Sequence, residues 1–158
     1  MATIVVGMAD LRACRYPDTL TTLGLGSCVG VCLYDKVQKI SGMAHVMLPS
    51  SSGYEGQNRA KFADSAIADL VKLMVSMGAG RNALTAKIAG GAHMFSGSMN
   101  NVLKVGQRNA ETCIATLEEL RIPIRANDTG GTHGRTIELY SDTGMLKIRT
   151  VGGGEKLI

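Results

Sequence analysis

The sequence contains no tryptophan, and its aromatic residues are four tyrosines and two phenylalanines. Its 17 lysines and arginines are scattered along the chain, whereas nucleic-acid surfaces usually combine clustered basic residues with aromatic side chains. No stretch reaches the ~18 consecutive apolar residues of a membrane-spanning helix. The first residues, MATIVVGMADLR, lack the basic start and the long apolar run of a signal peptide. We therefore expect a cytoplasmic protein with no nucleic-acid partner and no membrane insertion.

Metal-ligand and disulfide spacings are also missing. The cysteines form no CxxC pair, and no two histidines share a spacing typical of zinc ligands. Free thiols fit the reducing compartment that the missing export signal predicts. The residues concerned are Cys14, Cys28, Cys32, Cys113, His45, His93 and His133. Each of them has to be judged from its own surroundings.

The apolar pattern predicts a single domain over residues 1–158. Hydrophobic residues make up 45% and charged residues 19%, which is ordinary for a globular protein. Helical spacing predicts helices over residues 58–77 and 107–121. Strands are predicted at residues 4–8, 19–25, 29–35, 40–48, 87–92, 135–140 and 145–151, with another after Pro123. Because strands and helices do not strictly alternate, the fold class predicted is α+β, a layered sandwich.

The stretch TTLGLGSCVGVCLYD, residues 21–35, places a thiol where two predicted strands meet. Glycines at positions 24, 26 and 30 permit a sharp turn at Gly26-Ser27-Cys28. Such a turn would present Cys28 as a nucleophile and aim nearby N–H groups into one pocket, as in an oxyanion hole. The alternative is a buried cysteine beside a glycine bulge, which is the commoner environment of a free thiol.

His45 is the candidate base for Cys28. It lies in an apolar strand, 17 residues after the cysteine, a gap that fits one strand, a turn and a return strand. Such a hairpin would bring the two residues level at one end. A histidine in this position is otherwise a core residue, which needs a hydrogen-bond partner because burial penalises the imidazolium.

The other candidates have weaker patterns. Cys113 and Cys32 are predicted in the core, and Cys14, between two arginines, is predicted as an exposed or half-packed thiol. His93 and His133 lie in glycine-rich loops. The stretches IAGGAHMF and NDTGGTHGR match neither phosphate-loop pattern, so they are predicted to form the walls of a pocket.

Five segments carry a resemblance across nearly the whole chain: TLGLGSCVGVCLYD, GMAHVMLP, KIAGGAHMF, DTGG and the terminal VGGGE. In this order and spacing they resemble the CheD family of bacterial chemoreceptor glutamine deamidases. The resemblance implies an α/β/β sandwich similar to the catalytic domains of glutamine-deamidating toxins and, more distantly, to cysteine proteases. It also implies hydrolysis of receptor glutamine side chains to glutamate with release of ammonia, and glutamate methyl esters as a second substrate.

Position by position, the resemblance implies Cys28 as nucleophile, His45 as base and Thr22 as the third member of the site. It implies no metal or organic cofactor, and a CheC-type chemotaxis phosphatase as a partner that competes with the receptor. Six residues of straight strand span roughly 20 Å, too far for Thr22 and Cys28 to contact one imidazole. Either the chain turns hard at residues 24–26, or His45 is approached from two sides.

Two alternatives to the deamidase share these residues. One is an interaction module for receptor or phosphatase in which catalysis is secondary or lost. The other is a cysteine peptidase, which would need an open cleft for extended backbone instead of a pocket for one side chain.

Overall fold

A computed structural model of the protein describes residues 1–94 and 104–158. The strands are β1 (Thr3–Val5), β2 (Asp10–Arg15), β3 (Thr19–Leu25), β4 (Val29–Asp35), β5 (Ile40–Val46), β6 (Thr85–Gly90), β7 (Ile124–Thr129), β8 (Arg135–Tyr140), β9 (Leu146–Thr150) and β10 (Glu155–Leu157). The helices are α1 (Ala63–Ser76) and α2 (Val105–Glu119), with single 3₁₀ turns at Arg59–Lys61 and Arg81–Ala83.

The strands form two five-stranded sheets. The outer sheet has the order β1-β3-β8-β9-β10, and the central sheet has the order β2-β5-β4-β6-β7. Both are mixed sheets, because β1 runs parallel to β3 and β6 parallel to β7 while the other pairs are antiparallel. Consecutive strands β3 and β4 belong to different sheets, so the chain crosses between the sheets at residues 26–28.

Two hydrophobic clusters define three layers. One cluster lies between the helices and the central sheet and includes Ala66, Leu70 and Leu117 with Val31 and Ala44. The other lies between the two sheets. The central sheet is therefore covered on both faces, which explains why β5 is buried along its whole length and shows no polar alternation.

The fold class predicted from the sequence is confirmed as an α+β sandwich of a helical layer and two sheets. The likeness to toxin catalytic domains stays a prediction. The sequence pattern did not predict two of the strands. These are β2, which is rich in charged residues and lies at a sheet edge, and β10, which is fully exposed. The first predicted helix is interrupted at Phe62, whose extended φ of −109° and ψ of 138° separate a 3₁₀ turn from α1. Within residues 1–94 and 104–158, no helix is long and apolar enough to cross a membrane.

Candidate active site

The crossing between the sheets holds Cys28 in a turn whose carbonyl groups are all occupied. Ala92 N–H donates to Gly26 O at 2.8 Å, and Gly91 N–H donates to Cys28 O at 2.8 Å. The carbonyl between them, Ser27 O, accepts from the side-chain amide of Asn109 at 2.9 Å. Three donors from later parts of the chain thus fix three successive peptide groups around the thiol.

Glycine is required at Gly90 for this contact. A Cβ atom there would lie 2.3 Å from Cys28 O, and the residue has a φ of +112°. Both the close approach and the positive φ exclude larger residues. The GG pair of the KIAGGAHMF segment therefore brings β6 against the Cys28 turn. The last residue of that segment, Phe95, lies outside the described residues.

His45 reaches the same end of the central sheet through the antiparallel pairing of β4 and β5. Gly30 is the direct partner of His45, and Val29 is the partner of Val46. Continuing this register places Cys28 diagonally across from His45, a relation in which residues are about 7–8 Å apart and long side chains can meet. The predicted hairpin between the two residues is confirmed.

The opposing strands leave His45 room between the sheets. Gly30 has no side chain there, and a Cβ at this position would lie 2.5 Å from Cδ1 of Ile137 in the outer sheet. His45 itself is 1% exposed. The imidazole is consequently held in a narrow space between the two sheets.

Thr22 lies on the facing sheet, and its Oγ1 is 2.7 Å from Nδ1 of His45. The same hydroxyl donates to Val6 O at 2.6 Å. A hydroxyl has one hydrogen, so Thr22 must accept from Nδ1–H of the neutral imidazole. This assignment leaves the lone pair of the neutral ring on Nε2, which is the nitrogen that can act as a base.

The chain reaches this arrangement by both routes that the sequence left open. The pairing of β3 with β8 is irregular between Thr22 and Leu25, where Gly24 has a φ of +67°. In addition, Thr22 and Cys28 approach from different sheets. The distance of roughly 20 Å that a straight strand would put between Thr22 and Cys28 therefore does not keep them apart.

Burial shifts the pKa of both Cys28 and His45 away from their charged forms. Burial raises the pKa of the Cys28 thiol above its ordinary value of 9.0, and burial lowers the pKa of His45 below 6.5. Nε2 of His45 is buried and has no hydrogen-bond partner among the described residues. Catalytic hydrogen bonds often tighten only when substrate binds. Burial therefore disfavours both the thiolate of Cys28 and the imidazolium of His45.

Two backbone N–H groups lie next to the Cys28 thiol, and that of Cys28 itself bonds to the sulfur. In the described part of the chain, neither the Ser27 nor the Cys28 N–H donates to a backbone carbonyl.

On the other side of Gly91 lies a cavity of about 450 Å³, walled by His93, Gly130 and Gly131 among others. Both glycine-rich stretches therefore line a pocket, as predicted.

The remaining cysteines and His133 have surroundings of their own, whereas His93 lies next to Ala92, whose N–H donates to Gly26 O. Burial raises the pKa of Cys32 and of Cys113 to about 12, in agreement with their predicted core positions. The expectation for Cys14 is wrong: it is 4% exposed, with Sγ 3.3 Å from Oγ of Ser141, because its strand turns it into the space between the sheets. His133 is exposed, and its Nδ1 is 3.3 Å from the neighbouring Thr132 hydroxyl. Across the described residues, no three His, Cys, Asp or Glu side chains are grouped as metal ligands.

Sequence reasoning missed Asn109. This residue is fully buried on α2, where Cys113 and Leu117 follow it on the same helical face. The sequence did carry a signal for it: Asn109 lies four residues before Cys113, on the apolar face of the helix. An amide buried in a core needs hydrogen-bond partners, so a polar residue on this face indicates a specific contact.

A cysteine and an oriented histidine brought to one end of the central sheet are the groups that nucleophilic hydrolysis by a thiol would require. The model of the family described as CheD, chemotactic sensory transduction, matches residues 47–150. The chain belongs to the CheD family. Cys28, His45 and Thr22 precede the segment matched by that model, but full-length relatives cover this part of the chain as well.

Three relatives illustrate this similarity. A probable chemoreceptor glutamine deamidase CheD of Lachnoclostridium phytofermentans is 54% identical over 157 residues, covering 98% of both chains. The chemoreceptor glutamine deamidase CheD of Halalkalibacterium halodurans is 53% identical over 158 residues, again covering 98% of both chains. That of Bacillus subtilis is 48% identical over 158 residues, 98% of this chain and 95% of its own.

Proposed function

We propose that this protein is a chemoreceptor glutamine deamidase, a hydrolase that converts glutamine side chains of chemotaxis receptors to glutamate. Relatives of this name match it at about half of all positions over 98% of its length. The observation that carries the catalytic part of the proposal is the bond from His45 Nδ1–H to Thr22, because it leaves Nε2 free as a base.

The first step forms a thioester. Nε2 of His45 takes the Cys28 proton as Sγ attacks the carbon of the substrate amide, and the amide oxygen becomes an oxyanion. The N–H groups of Ser27 and Cys28 are the proposed donors to this oxyanion. The imidazolium then gives its proton to the amide nitrogen, the C–N bond breaks, and ammonia leaves.

The second step returns the enzyme to its starting state. Nε2 removes a proton from water, and the hydroxide attacks the thioester carbon. The C–S bond breaks, the thiolate recovers the proton from His45, and glutamate is released. A glutamate methyl ester would follow the same route with methanol as the leaving group, and we include this second substrate in the proposal.

Receptor cytoplasmic regions are the proposed substrate, which makes the cytoplasm the proposed location. A CheC-type phosphatase is the proposed protein partner, supported by the family resemblance of the sequence. We propose no cofactor, since each proton transfer above has a donor and an acceptor in the chain or in water.

The experiment is incubation of the protein with a receptor cytoplasmic fragment, followed by mass spectrometry of its peptides. Deamidation adds about one mass unit at a glutamine and should disappear in Cys28→Ala. Cys14→Ala is the matched control, because it removes a buried thiol that does not face His45. Backbone cleavage would identify a peptidase instead, and binding without any mass change would identify an interaction module.

A further inference from the structure

Asn109 connects the residue two positions before β4 with the residue that follows β5, on either side of the candidate catalytic pair. Its Nδ2 donates to Ser27 O at 2.9 Å and to Met47 O at 3.0 Å. Ser27 directly precedes Cys28, and Met47 follows His45 by two residues. One buried amide on α2 therefore holds the Cys28 turn and the residue after β5 at a fixed separation.

The chemistry of the contacts fixes the orientation of this amide. Both partners are carbonyl oxygens, which only the NH₂ group can satisfy. The other end, Oδ1, is buried without a hydrogen-bond partner among the described residues. An unsatisfied buried acceptor costs stability, so a purely structural position would favour a residue without it.

Helix α2 is held close to the turn at a second point. A Cβ atom on Gly106 would lie 2.4 Å from Ala92 O and 2.7 Å from Gly91 O. Gly91 and Ala92 are the residues whose N–H groups bind the carbonyls on either side of Ser27. The first turns of α2 thus pack against the residues that hold the Cys28 turn. Asn109 donates to Ser27 O, the middle of the three carbonyls in that turn.

We propose that Asn109 is a positioning residue that aligns the thiol of Cys28 with Nε2 of His45. The inference rests on the proposed deamidation for its kinetic readout, but its geometry concerns only the two side chains. Because small misplacements of reacting groups strongly reduce rates, loss of this amide should lower turnover more than substrate binding.

The first test compares Asn109→Ala, which has no donor, with Asn109→Ser, which keeps one. We expect kcat for deamidation to fall about 10–100-fold in the alanine variant, with KM changed less than about threefold. The serine variant should retain more activity, and it carries the test if the alanine variant does not fold. The control is Asp35→Asn, which weakens the part-buried hydrogen bonds of a buried carboxylate at the opposite end of β4. A loss confined to KM, an unchanged kcat, or an equal loss in Asp35→Asn would overturn the inference.

The second test needs no deamidation. Alkylation of Cys28 by iodoacetamide is timed by mass spectrometry with and without His45→Ala, in the wild-type and in the Asn109→Ser background. We expect His45→Ala to slow the reaction in the wild type and to have less than about a twofold effect beside Asn109→Ser. Equal effects in both backgrounds, or none in either, contradict the inference. If coupling is found in a protein without deamidase activity, the role of Asn109 stands and the proposed function fails.

Discussion

Thr22 and His45 lie on facing sheets and are joined by a hydrogen bond of 2.7 Å. Because the only hydrogen of the threonine hydroxyl is given to Val6 O, the bond runs from Nδ1–H to Oγ1. A neutral hydroxyl orients the imidazole in this way without the negative charge that an aspartate would place beside an imidazolium. The imidazole is therefore oriented, while burial keeps its pKa below the ordinary value of 6.5.

Replacing Thr22 by alanine should weaken catalysis without abolishing it. The variant removes the acceptor that fixes the tautomer, so part of the histidine population would carry its proton on Nε2. General-base catalysis contributes about 10²–10⁴-fold, and we expect a loss of about 10–100-fold in kcat. Cys28→Ala should show no measurable deamidation in the same assay.

Thr22→Ser is the control, because it keeps the hydroxyl and should stay within about threefold of wild type. A Thr22→Ala variant as inactive as Cys28→Ala would show that the hydroxyl does more than orient His45.

The pH dependence of kcat/KM tests whether the active pair is neutral, that is, a Cys28 thiol with an unprotonated His45. His45 acts as a base only when unprotonated, and its pKa is below 6.5, so activity should fall as pH drops through that lower value. Cys28 must keep its proton for delivery to ammonia, and its pKa is above 9.0, so activity should fall as pH rises beyond that value. A plateau between pH 6.5 and 9.0 is expected in initial-rate measurements across pH.

A thiolate–imidazolium pair would behave differently. Its thiol would be alkylated by iodoacetamide at a rate that already levels off in mildly acidic solution. We expect the rate for the free protein to keep rising through pH 9, and an early plateau would rule out the neutral pair.

Gly90→Ala should inactivate the enzyme. Its new Cβ would meet Cys28 O at 2.3 Å, and the φ of +112° would strain any side chain. We expect a loss of about 100-fold or more in kcat, from displacement of the nucleophile. The control is Gly152→Ala, which has a φ of +74° but no atom within 4 Å of its Cβ. It should cost about 1 kcal/mol of stability and leave kcat unchanged. Equal kinetics in both variants would contradict the close contact.

Arg135 should contribute more to stability than any exposed ion pair of the protein. Its guanidinium is buried and donates to Gly90 O at 3.2 Å and Gly130 O at 3.0 Å, beside Asp128 at 3.3 Å. We expect Arg135→Met to lower the free energy of unfolding in urea by about 3 kcal/mol. Arg149→Met is the control, because its partner Glu155 is 50% exposed, and it should cost less than about 1 kcal/mol. Similar losses for the two variants would refute this ranking.

Much of the fold could be predicted from local sequence. The bounds of β3, β4 and β8 coincide with the predicted ones because turns and glycines delimit them. The edge strands β2 and β10 could not be found in this way. Edge strands need little apolar alternation, and their pairing depends on neighbours distant in sequence.

The site was predictable only in part. The hairpin between Cys28 and His45 follows from local spacing, whereas Thr22 was supplied by family resemblance and its contact depends on how two sheets face each other. Asn109 could not be assigned a role, since its partners at Ser27 and Met47 are 82 and 62 residues away. The burial of Cys14 likewise depends on Ser141, 127 residues away.

The three donors that hold the Cys28 turn also set an order of events during synthesis. Gly91, Ala92 and Asn109 leave the ribosome long after the thiol and the histidine they position. A nascent chain that has made only the hairpin of β4 and β5 therefore carries Cys28 and His45 without the three donors that hold the Cys28 turn. The Cys28 turn is therefore complete only after the end of β6 and helix α2 have been synthesised and have packed against it.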